Sequence, residues 1–249
     1  MNLTDFKVLS FDCYGTLIDW ETGIWNKLQP LLRGDGEAPS PEISRDEALS
    51  DFSAFEPAVQ EQHPNLLYRD LLARVHNALA AEWRLPTSIL NDECFGGSIG
   101  AWPAFADTQD ALVYLKRHFK LVILSNVDRQ SFAATNQRLG VTFDAICTAE
   151  DIGSYKPDPR NFNYLIEQVA AMGYSKSQIL HTAQSLYHDH IPAERLGLAR
   201  CWINRRNDHG TGSGATKPVE HLPKLDFQFA TLGAMAEAHR QALVQLPLK

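Results

Sequence analysis

The sequence predicts an α/β protein with a doubly wound, Rossmann-like parallel sheet as its core and an inserted all-helical cap domain. Two observations lead to this fold class. Short apolar runs rich in β-branched and aromatic residues alternate with helical stretches, a pattern typical of parallel sheets covered on both faces. After the first run, however, a long stretch shows helical periodicity without a convincing strand, and it is longer than one crossover helix requires.

The apolar runs are the predicted strands, and the last of them is the weakest. They cover residues 6–13, 121–125, 145–148, 179–182, 201–204 and 227–231. Helices are predicted between them over residues 108–117, 130–139 and 161–172. Because ligands bind at the carboxyl ends of the strands in such sheets, residues that directly follow a strand are the candidates for function.

Residues 18–99 form the predicted cap, which leaves 1–17 and 100–249 as the catalytic core. Four cap helices are expected, over residues 25–32, 45–61, 67–83 and 89–94. Breaks separate them at Gly34-Asp35-Gly36, at His63-Pro64 and at Pro86. Glycines 96, 97 and 100 stand where the chain returns to the core, either as a hinge or as a plain flexible loop.

Composition limits the classes of function. The 23 Lys and Arg residues are scattered and outnumbered by 30 Asp and Glu residues, so the net charge of -7 argues against nucleic-acid binding. The four cysteines form no CxxC pair, and we expect free thiols in a reducing compartment. No signal-like segment or membrane-length apolar run is visible, so we expect a cytoplasmic protein without a membrane partner. Residues 208–217, rich in Gly, Ser and Thr, are typical of an exposed loop.

The strongest motif is Phe11-Asp12-Cys13-Tyr14-Gly15-Thr16-Leu17, directly after the first predicted strand. This position places Asp12 at the carboxyl end of the strand. Gly15 permits a tight turn that lets backbone N–H groups face a ligand, and Thr16 can hydrogen-bond and orient the carboxylate for nucleophilic attack. The alternative is that Asp12 only caps a turn after a buried strand.

Three later segments also follow predicted strands. Ser125 and Asn126 supply a hydroxyl and an amide, Lys156 supplies an ammonium group, and Asp189 supplies a second carboxylate. In order and position, these residues and Asp12 resemble the four motifs of the haloacid dehalogenase-like superfamily. A carboxylate nucleophile needs a nearby cation to stay ionised, and Lys156 can supply that charge. Taken alone, the lysine is equally typical of a surface residue before a proline turn.

Two departures distinguish this chain from the phosphatases of that superfamily. The phosphatases usually have a second Asp two positions after the nucleophile, where this chain has Tyr14, and a Gly-Asp pair just after the fourth strand, where it has Ala183 and Gln184. A halide leaving group needs no proton, whereas an alkoxide does. Loss of an acid beside the positive charge of Lys156 also disfavours Mg²⁺. The chain is therefore most similar to the 2-haloacid dehalogenase branch, and no metal or other cofactor is expected.

The resemblance implies hydrolytic dehalogenation of a small 2-haloalkanoic acid through an ester on Asp12. Asp189 would activate the water that cleaves the ester, while Lys156 and Ser125 would position carboxylates and Thr16 would orient Asp12. Backbone N–H groups after the nucleophile would stabilise an oxyanion. The expected substrate contacts are Cys13, Tyr14, Trp20, Ser125, Asn126 and Phe162.

Some neighbouring residues have more than one interpretation. Trp20, with Trp25 and Trp102, either walls a small apolar pocket or packs the cap on the core. His188 and His190 flank Asp189, and one of them could reach the pocket. A metal site built from this triplet is disfavoured, because adjacent residues on a short turn rarely converge on one ion.

Other positions depart from the dehalogenase pattern. That branch commonly has an early cap arginine that receives the halide, whereas residues 52–60 contain none and Arg45, Arg69 and Arg74 are only candidates. Phe162 stands where a Tyr is expected, and Gln184 stands at the start of the Gln-Ser-Leu that replaces a Ser-Asn pair. Two other functions stay open: a Mg²⁺-dependent phosphatase or phosphonate hydrolase, and a binding protein without turnover. The expected partner is a small anionic haloacid, and a homodimer is consistent with the family.

Overall fold

The computed structural model describes residues 1–33, 42–206 and 219–245. The predicted break at Gly34-Asp35-Gly36 and the predicted loop over residues 208–217 lie outside the described residues. None of the described helices is both long enough and apolar enough to cross a membrane.

One sheet of six strands forms the centre of the molecule. The strands are β1 (Val8–Phe11), β2 (Lys120–Ser125), β3 (Ala145–Thr148), β4 (Ile179–Ala183), β5 (Ala199–Ile203) and β6 (Phe227–Phe229). Their order across the sheet is β3-β2-β1-β4-β5-β6, and each neighbouring pair is parallel. The predicted doubly wound parallel sheet is therefore confirmed. β1 is shorter than predicted at both ends. The backbone N–H of Asp12 still donates to the carbonyl oxygen of Thr182 at 3.1 Å, and the chain turns from Cys13 onwards, where the carbonyl oxygen of Cys13 accepts from the N–H groups of Leu17 and Ile18.

Ten α-helices surround the sheet within the described ranges. Four of them lie in the inserted stretch after β1: α1 (Trp20–Arg33), α2 (Arg45–Gln62), α3 (Tyr68–Glu82) and α4 (Ile89–Gly96). The other six are α5 (Thr108–Leu115), α6 (Arg129–Asn136), α7 (Ala149–Ile152), α8 (Pro159–Ala171), α9 (Ile191–Arg195) and α10 (Leu232–Val244). The inserted stretch contains helices and no strand in its described part, as predicted, while the exact domain boundaries stay a prediction.

Helix α1 begins five residues earlier than predicted. The carboxylate of Asp19 accepts a hydrogen bond from the backbone N–H of Thr22 at 3.1 Å, which satisfies one of the free donors of the first turn. This N-terminal capping interaction allows the helix to begin at Trp20. The Trp20 side chain then lies where the helices of the cap domain meet the core.

Gly96 belongs to the end of α4 and not to a hinge. A Cβ atom at this position would collide with the backbone carbonyl oxygen of Arg69 on α3. The glycine therefore permits close packing of α3 against α4, and the hinge interpretation is wrong for this residue.

The central strand β1 determines where the site lies. All four of its residues are fully buried, and it is paired with β2 on one side and β4 on the other. The chain thus continues on opposite sides of β1, which makes its carboxyl end a topological switch point, the usual ligand site of open α/β sheets. Asp12 follows β1 directly at this point.

Candidate active site

Lys156 joins the ends of three strands. Its ammonium Nζ donates hydrogen bonds to Oδ1 of Asp12 at 2.8 Å, to Oδ1 of Asp189 at 2.7 Å and to the carbonyl oxygen of Leu124 at 3.0 Å. All three charged side chains are buried, and the lysine is only 2% exposed. A buried ammonium between two carboxylates is a costly arrangement that is stable only with such complete pairing. The interpretation of Lys156 as an ordinary surface residue is wrong.

The turn after β1 holds one of the two carboxylate oxygens of Asp12. Thr16 Oγ1 donates to Asp12 Oδ2 at 2.7 Å and accepts from the backbone N–H of Gln184 at 2.9 Å, so the threonine ties the nucleophile candidate to the segment after β4. Gly15 has a φ of 93°, a left-handed conformation that glycine adopts without strain. The carboxylate is therefore oriented from one side by Thr16 and from the other by Lys156.

Two backbone N–H groups next to Asp12 remain available for a ligand. Those of Gly15 and Thr16 are bonded to the carbonyl oxygens of Ile18 and Cys13, at 2.8 and 3.3 Å. Within the described part of the chain, no acceptor is paired with the N–H of Cys13 or Tyr14. These two donors are the candidates to stabilise an oxyanion that forms on Asp12.

Asn126 fixes the loop that carries the lysine. Its Nδ2 donates to the backbone carbonyl of Lys156 at 3.1 Å, and its Oδ1 accepts from the backbone N–H of Lys156 at 2.6 Å. Both ends of the amide are thus used within the protein. Asn126 also lines the cavity, so its predicted contact with substrate stays open beside this positioning role.

Asp189 lies in a wide helical turn, Leu186–His190, whose hydrogen bonds have π-helical spacing. Turns of this kind often occur at functional sites. Oδ1 of Asp189 accepts from Lys156 and from Nε2 of His181, which lies 3.0 Å away. Oδ2 is buried and has no hydrogen-bond partner in the described structure. A buried carboxylate oxygen left free beside a cavity indicates a place for water or a ligand.

The two histidines beside Asp189 differ in role. His188 lines the cavity. His190 is turned away, because its Nε2 donates to the carbonyl oxygen of Ala183 at 2.9 Å. Burial lowers the pKa of His190 to about 4, so this imidazole is neutral at physiological pH.

The electrostatics distinguish the two carboxylates. Burial raises the pKa of Asp12 and the negative charge of Asp189 adds to this effect, although Lys156 opposes it. Burial also acts to raise the pKa of Asp189, but Lys156 and His181 outweigh it and hold that pKa below its ordinary value. Burial acts to lower the pKa of Lys156, and the two carboxylates reverse this and raise it. The lysine is therefore a permanent cation at physiological pH.

The cavity above these groups is small, with a volume of about 100 Å³. Its floor is formed by the strand ends, and its upper wall comes from the cap helices. The rings of Trp20 and Phe52 meet edge to face, with centroids 5.9 Å apart. The cap wall consists of Trp20, Phe52, Ser53, Glu56, Pro57 and Tyr68. Such a space fits a substrate of only a few heavy atoms.

Most predicted site residues meet at this cavity. Asp12, Ser125, Lys156 and Asp189 line it directly, and Thr16 lies behind Asp12. The hydroxyl of Ser125 is buried and has no partner among the described residues, which leaves it free to bond a substrate oxygen. Tyr14 and Trp20 also form part of the wall. The hydroxyl of Tyr14 lies 2.8 Å from Thr135 Oγ1.

Two predicted substrate contacts require correction. Cys13 is fully buried in the hydrophobic core, and its side chain does not line the cavity, because the alternation along the strand end directs it to the other side from Asp12. Burial raises the pKa of its thiol. Phe162 is also fully buried, and its ring packs edge-on against His181 at 5.2 Å, behind the site.

The candidate halide-binding arginines also lie elsewhere. Arg45 bonds Thr22, and Arg69 pairs with Asp128. Neither they nor Arg74 line the cavity. Trp102 packs behind Tyr14, with ring centroids 5.7 Å apart, so it supports the wall without forming it.

Sequence analysis missed His181, Phe52 and Tyr68. His181 was visible as the one polar ring in the apolar run before Asp189. Its contact with that residue depends on the wide turn between them, which no sequence pattern indicates. Phe52 and Tyr68 belong to amphipathic cap helices, where an apolar residue at a buried position is expected in any case. Nothing else in the sequence distinguished them as site residues.

The donor set does not fit the Mg²⁺ of the phosphatase alternative. The ammonium of Lys156 lies between the two carboxylates that would have to bind the ion. Gln184 offers an uncharged amide where the phosphatases have a carboxylate, and Tyr14 replaces a second carboxylate. Within residues 1–33, 42–206 and 219–245, no group of three or more His, Cys, Asp or Glu side chains is placed to hold a metal.

Comparisons with known proteins show what this chain is similar to. A family model described as a haloacid dehalogenase-like hydrolase matches residues 6–181. An (S)-2-haloacid dehalogenase of Pseudomonas putida is 34% identical over 106 residues, which are 41% of this chain and 45% of that protein. The match thus spans less than half of that relative's length. The pyrimidine 5'-nucleotidase YjjG of Escherichia coli is 29% identical over 85 residues, 34% of this chain and 37% of that protein.

A solved structure is similar to this chain over nearly its whole length. The L-2-haloacid dehalogenase of Xanthobacter autotrophicus, with chloropropionic acid covalently bound, superposes with a TM-score of 0.76 at 16% identity. The superposition covers 94% of this chain and 98% of that one. At this identity the likeness supports the fold alone.

Proposed function

The chain belongs to the family of haloacid dehalogenase-like hydrolases, and we propose that it hydrolyses the carbon–halogen bond of small 2-haloalkanoic acids without a metal ion. The observation that carries this proposal is the ammonium of Lys156, bonded to both Asp12 and Asp189 beneath a cavity of about 100 Å³. A fixed cation at this point keeps a nucleophilic carboxylate ionised and attracts an anionic substrate.

In the first step, a carboxylate oxygen of Asp12 attacks the carbon that carries the halogen. A carbon–oxygen bond forms, the carbon–halogen bond breaks, and the halide leaves with the electron pair. No proton is transferred, so the absence of an acid at the Tyr14 position has no cost for this step. We expect the hydroxyl of Ser125 to bind the substrate carboxylate and the positive charge of Lys156 to attract it.

In the second step, water attacks the ester carbonyl carbon of Asp12. Asp189 Oδ2 accepts a proton from the water, and the N–H groups of Cys13 and Tyr14 stabilise the oxyanion. The intermediate collapses, the bond between the Asp12 carbonyl carbon and the substrate oxygen breaks, and that oxygen takes the proton. A 2-hydroxy acid leaves, and Asp12 returns to the carboxylate with release of one proton.

Halide release tests the proposal. Chloroacetate, 2-chloropropionate and fluoroacetate are incubated with the protein in excess chelator, and free halide is measured. We expect release from at least one acid, unchanged on addition of millimolar Mg²⁺. Asp12→Asn, which keeps the size of the side chain, is expected to lower turnover about 10⁴-fold or more because it removes the nucleophile.

Other results would point to the alternatives. Mg²⁺-dependent hydrolysis of an aryl phosphate with no halide release would favour the phosphatase. Binding of haloacids without any turnover would favour a binding protein. An Asp12→Asn variant as active as the wild type would contradict a covalent role for this residue.

A further inference from the structure

His181 is a buried titratable group that the two chemical steps do not use directly. It lies within β4, opposite Ser10 of β1 in the register of the sheet, and both side chains are fully buried. Its Nδ1 is 2.9 Å from Ser10 Oγ, and its Nε2 is 3.0 Å from Asp189 Oδ1. The rings of Phe162 and His181 pack in a T-shaped arrangement, with centroids 5.2 Å apart. Ser10, His181 and Asp189 thus form a continuous buried chain of hydrogen bonds.

The acceptors fix the direction of this chain. Asp189 has a pKa below its ordinary value and is ionised, so it can only accept and Nε2 of His181 must donate. In a neutral imidazole, Nδ1 is then an acceptor, and the hydroxyl of Ser10 donates to it. Asp189 therefore fixes the tautomer that points a proton at it, and the Ser10 hydroxyl supports that tautomer by donating to Nδ1.

We infer that His181 is a positioning residue for ester hydrolysis, because it holds Asp189 Oδ1 and so leaves Oδ2 directed at the cavity for water. This role rests on the proposed function above. Without His181, Lys156 would be the one described side chain bonded to the carboxylate of Asp189, and its ammonium is shared with Asp12 and the Leu124 carbonyl. The carboxylate of Asp189 could then rotate so that either Oδ1 or Oδ2 bonds Lys156. Oδ2 would no longer be held toward the cavity, where it is expected to bind the water.

Because halide displacement needs no base, His181 should affect only the second step. His181→Leu fills the volume of the ring without its donor, and we expect ester hydrolysis to slow about 10- to 100-fold, the usual effect of losing a hydrogen bond to a charged group. Once hydrolysis limits turnover, kcat and KM fall together while kcat/KM stays unchanged. One equivalent of halide is still released in a rapid burst, and the ester accumulates.

Two further variants separate positioning from folding. His181→Gln keeps a donor near the Nε2 position and is expected to restore much of the lost kcat. The double variant Ser10→Ala/His181→Leu removes both partners of the hydrogen bond between Ser10 and His181, so the Ser10 hydroxyl is not left unpaired. It replaces His181→Leu in the test if that single variant is unstable. The double variant should show the same burst and the same kinetic pattern as His181→Leu.

The experiment combines rapid-quench halide release with intact-mass detection of the ester. We expect His181→Leu and the double variant to release the same burst of one halide per enzyme. We also expect His181→Leu to keep the kcat/KM of the wild type and to accumulate the ester. An unchanged kcat, or a kcat/KM that falls with kcat, would overturn the inference while leaving the proposed function intact. Absence of halide release from the wild type would instead overturn the proposed function, and the role of His181 with it.

Discussion

Replacement of Lys156 by Met gives the most informative prediction about the buried charges. Methionine has a similar length but removes the ammonium and its three hydrogen bonds, two of them to carboxylates at 2.7 and 2.8 Å. Two buried carboxylates then lie near each other without a cation. Breaking a buried ion pair in this way costs about 3–5 kcal/mol at neutral pH. For a chain of this size, that corresponds to a fall in Tm of roughly 6–20 °C.

The loss should depend on pH with a definite sign. Without the lysine, the pKa of at least one carboxyl in the folded variant rises well above the unfolded value of about 3.9, because burial and like charge disfavour ionisation. A group whose folded pKa is raised stabilises the fold when it is protonated. The difference in Tm between Lys156→Met and the wild type should therefore shrink as the pH falls from about 8 to about 5.

The assay is thermal unfolding of both proteins by circular dichroism across that pH range. Lys120→Met is the matched control, because Lys120 also pairs with an aspartate, Asp144 at 3.0 Å, but is 47% exposed. Exposed pairs contribute little, so its Tm should change only slightly and without this pH dependence. An equal loss of Tm at both ends of the range for Lys156→Met would refute the account of the buried charges.

Three further predictions concern catalysis. Ser125→Ala should raise KM for a haloacid about 10-fold with little change in Tm, because its hydroxyl has no partner in the described structure; steady-state kinetics and thermal unfolding check this. Thr16→Val should lower kcat/KM about 10- to 100-fold by removing the bond to Asp12 Oδ2, with the measurement repeated at two pH values. The pH profile of kcat/KM should fall on the acid side at a pKa above the ordinary aspartate value, since Asp12 must be ionised and its pKa is raised, and a midpoint below about 3.9 would contradict this.

The sequence was sufficient to predict where the charged groups lie. Asp12 and Asp189 follow the adjacent strands β1 and β4, and Lys156 follows β3, two strands away from β1 on its other side. The carboxyl ends of parallel strands lie at one edge of the sheet. The predicted parallel sheet and the side-chain types were therefore enough to place these residues at one edge, whereas the order of the strands came from the structure. The helical insertion was equally visible, since residues 18–99 had helical periodicity and no strand pattern.

The directions of individual side chains were harder to predict. Cys13 lies next to Asp12 in sequence, yet its thiol is in the core, and Phe162 lies behind His181 instead of in the cavity. The role of Asn126 in holding the Lys156 loop depends on two backbone atoms thirty positions away. Such contacts are set by turn geometry and packing, which local propensity does not specify.

Oxygen exchange tests the central claim, a covalent ester on Asp12, most directly. The protein is incubated with a haloacid in water enriched in oxygen-18, and the peptide that contains Asp12 is analysed by mass spectrometry. After many turnovers the Asp12 carboxylate should carry the heavy isotope, whereas with enzyme in excess the 2-hydroxy acid from the first turnover should not. Heavy oxygen in that first product, with none in Asp12, would show direct attack by water and contradict the account.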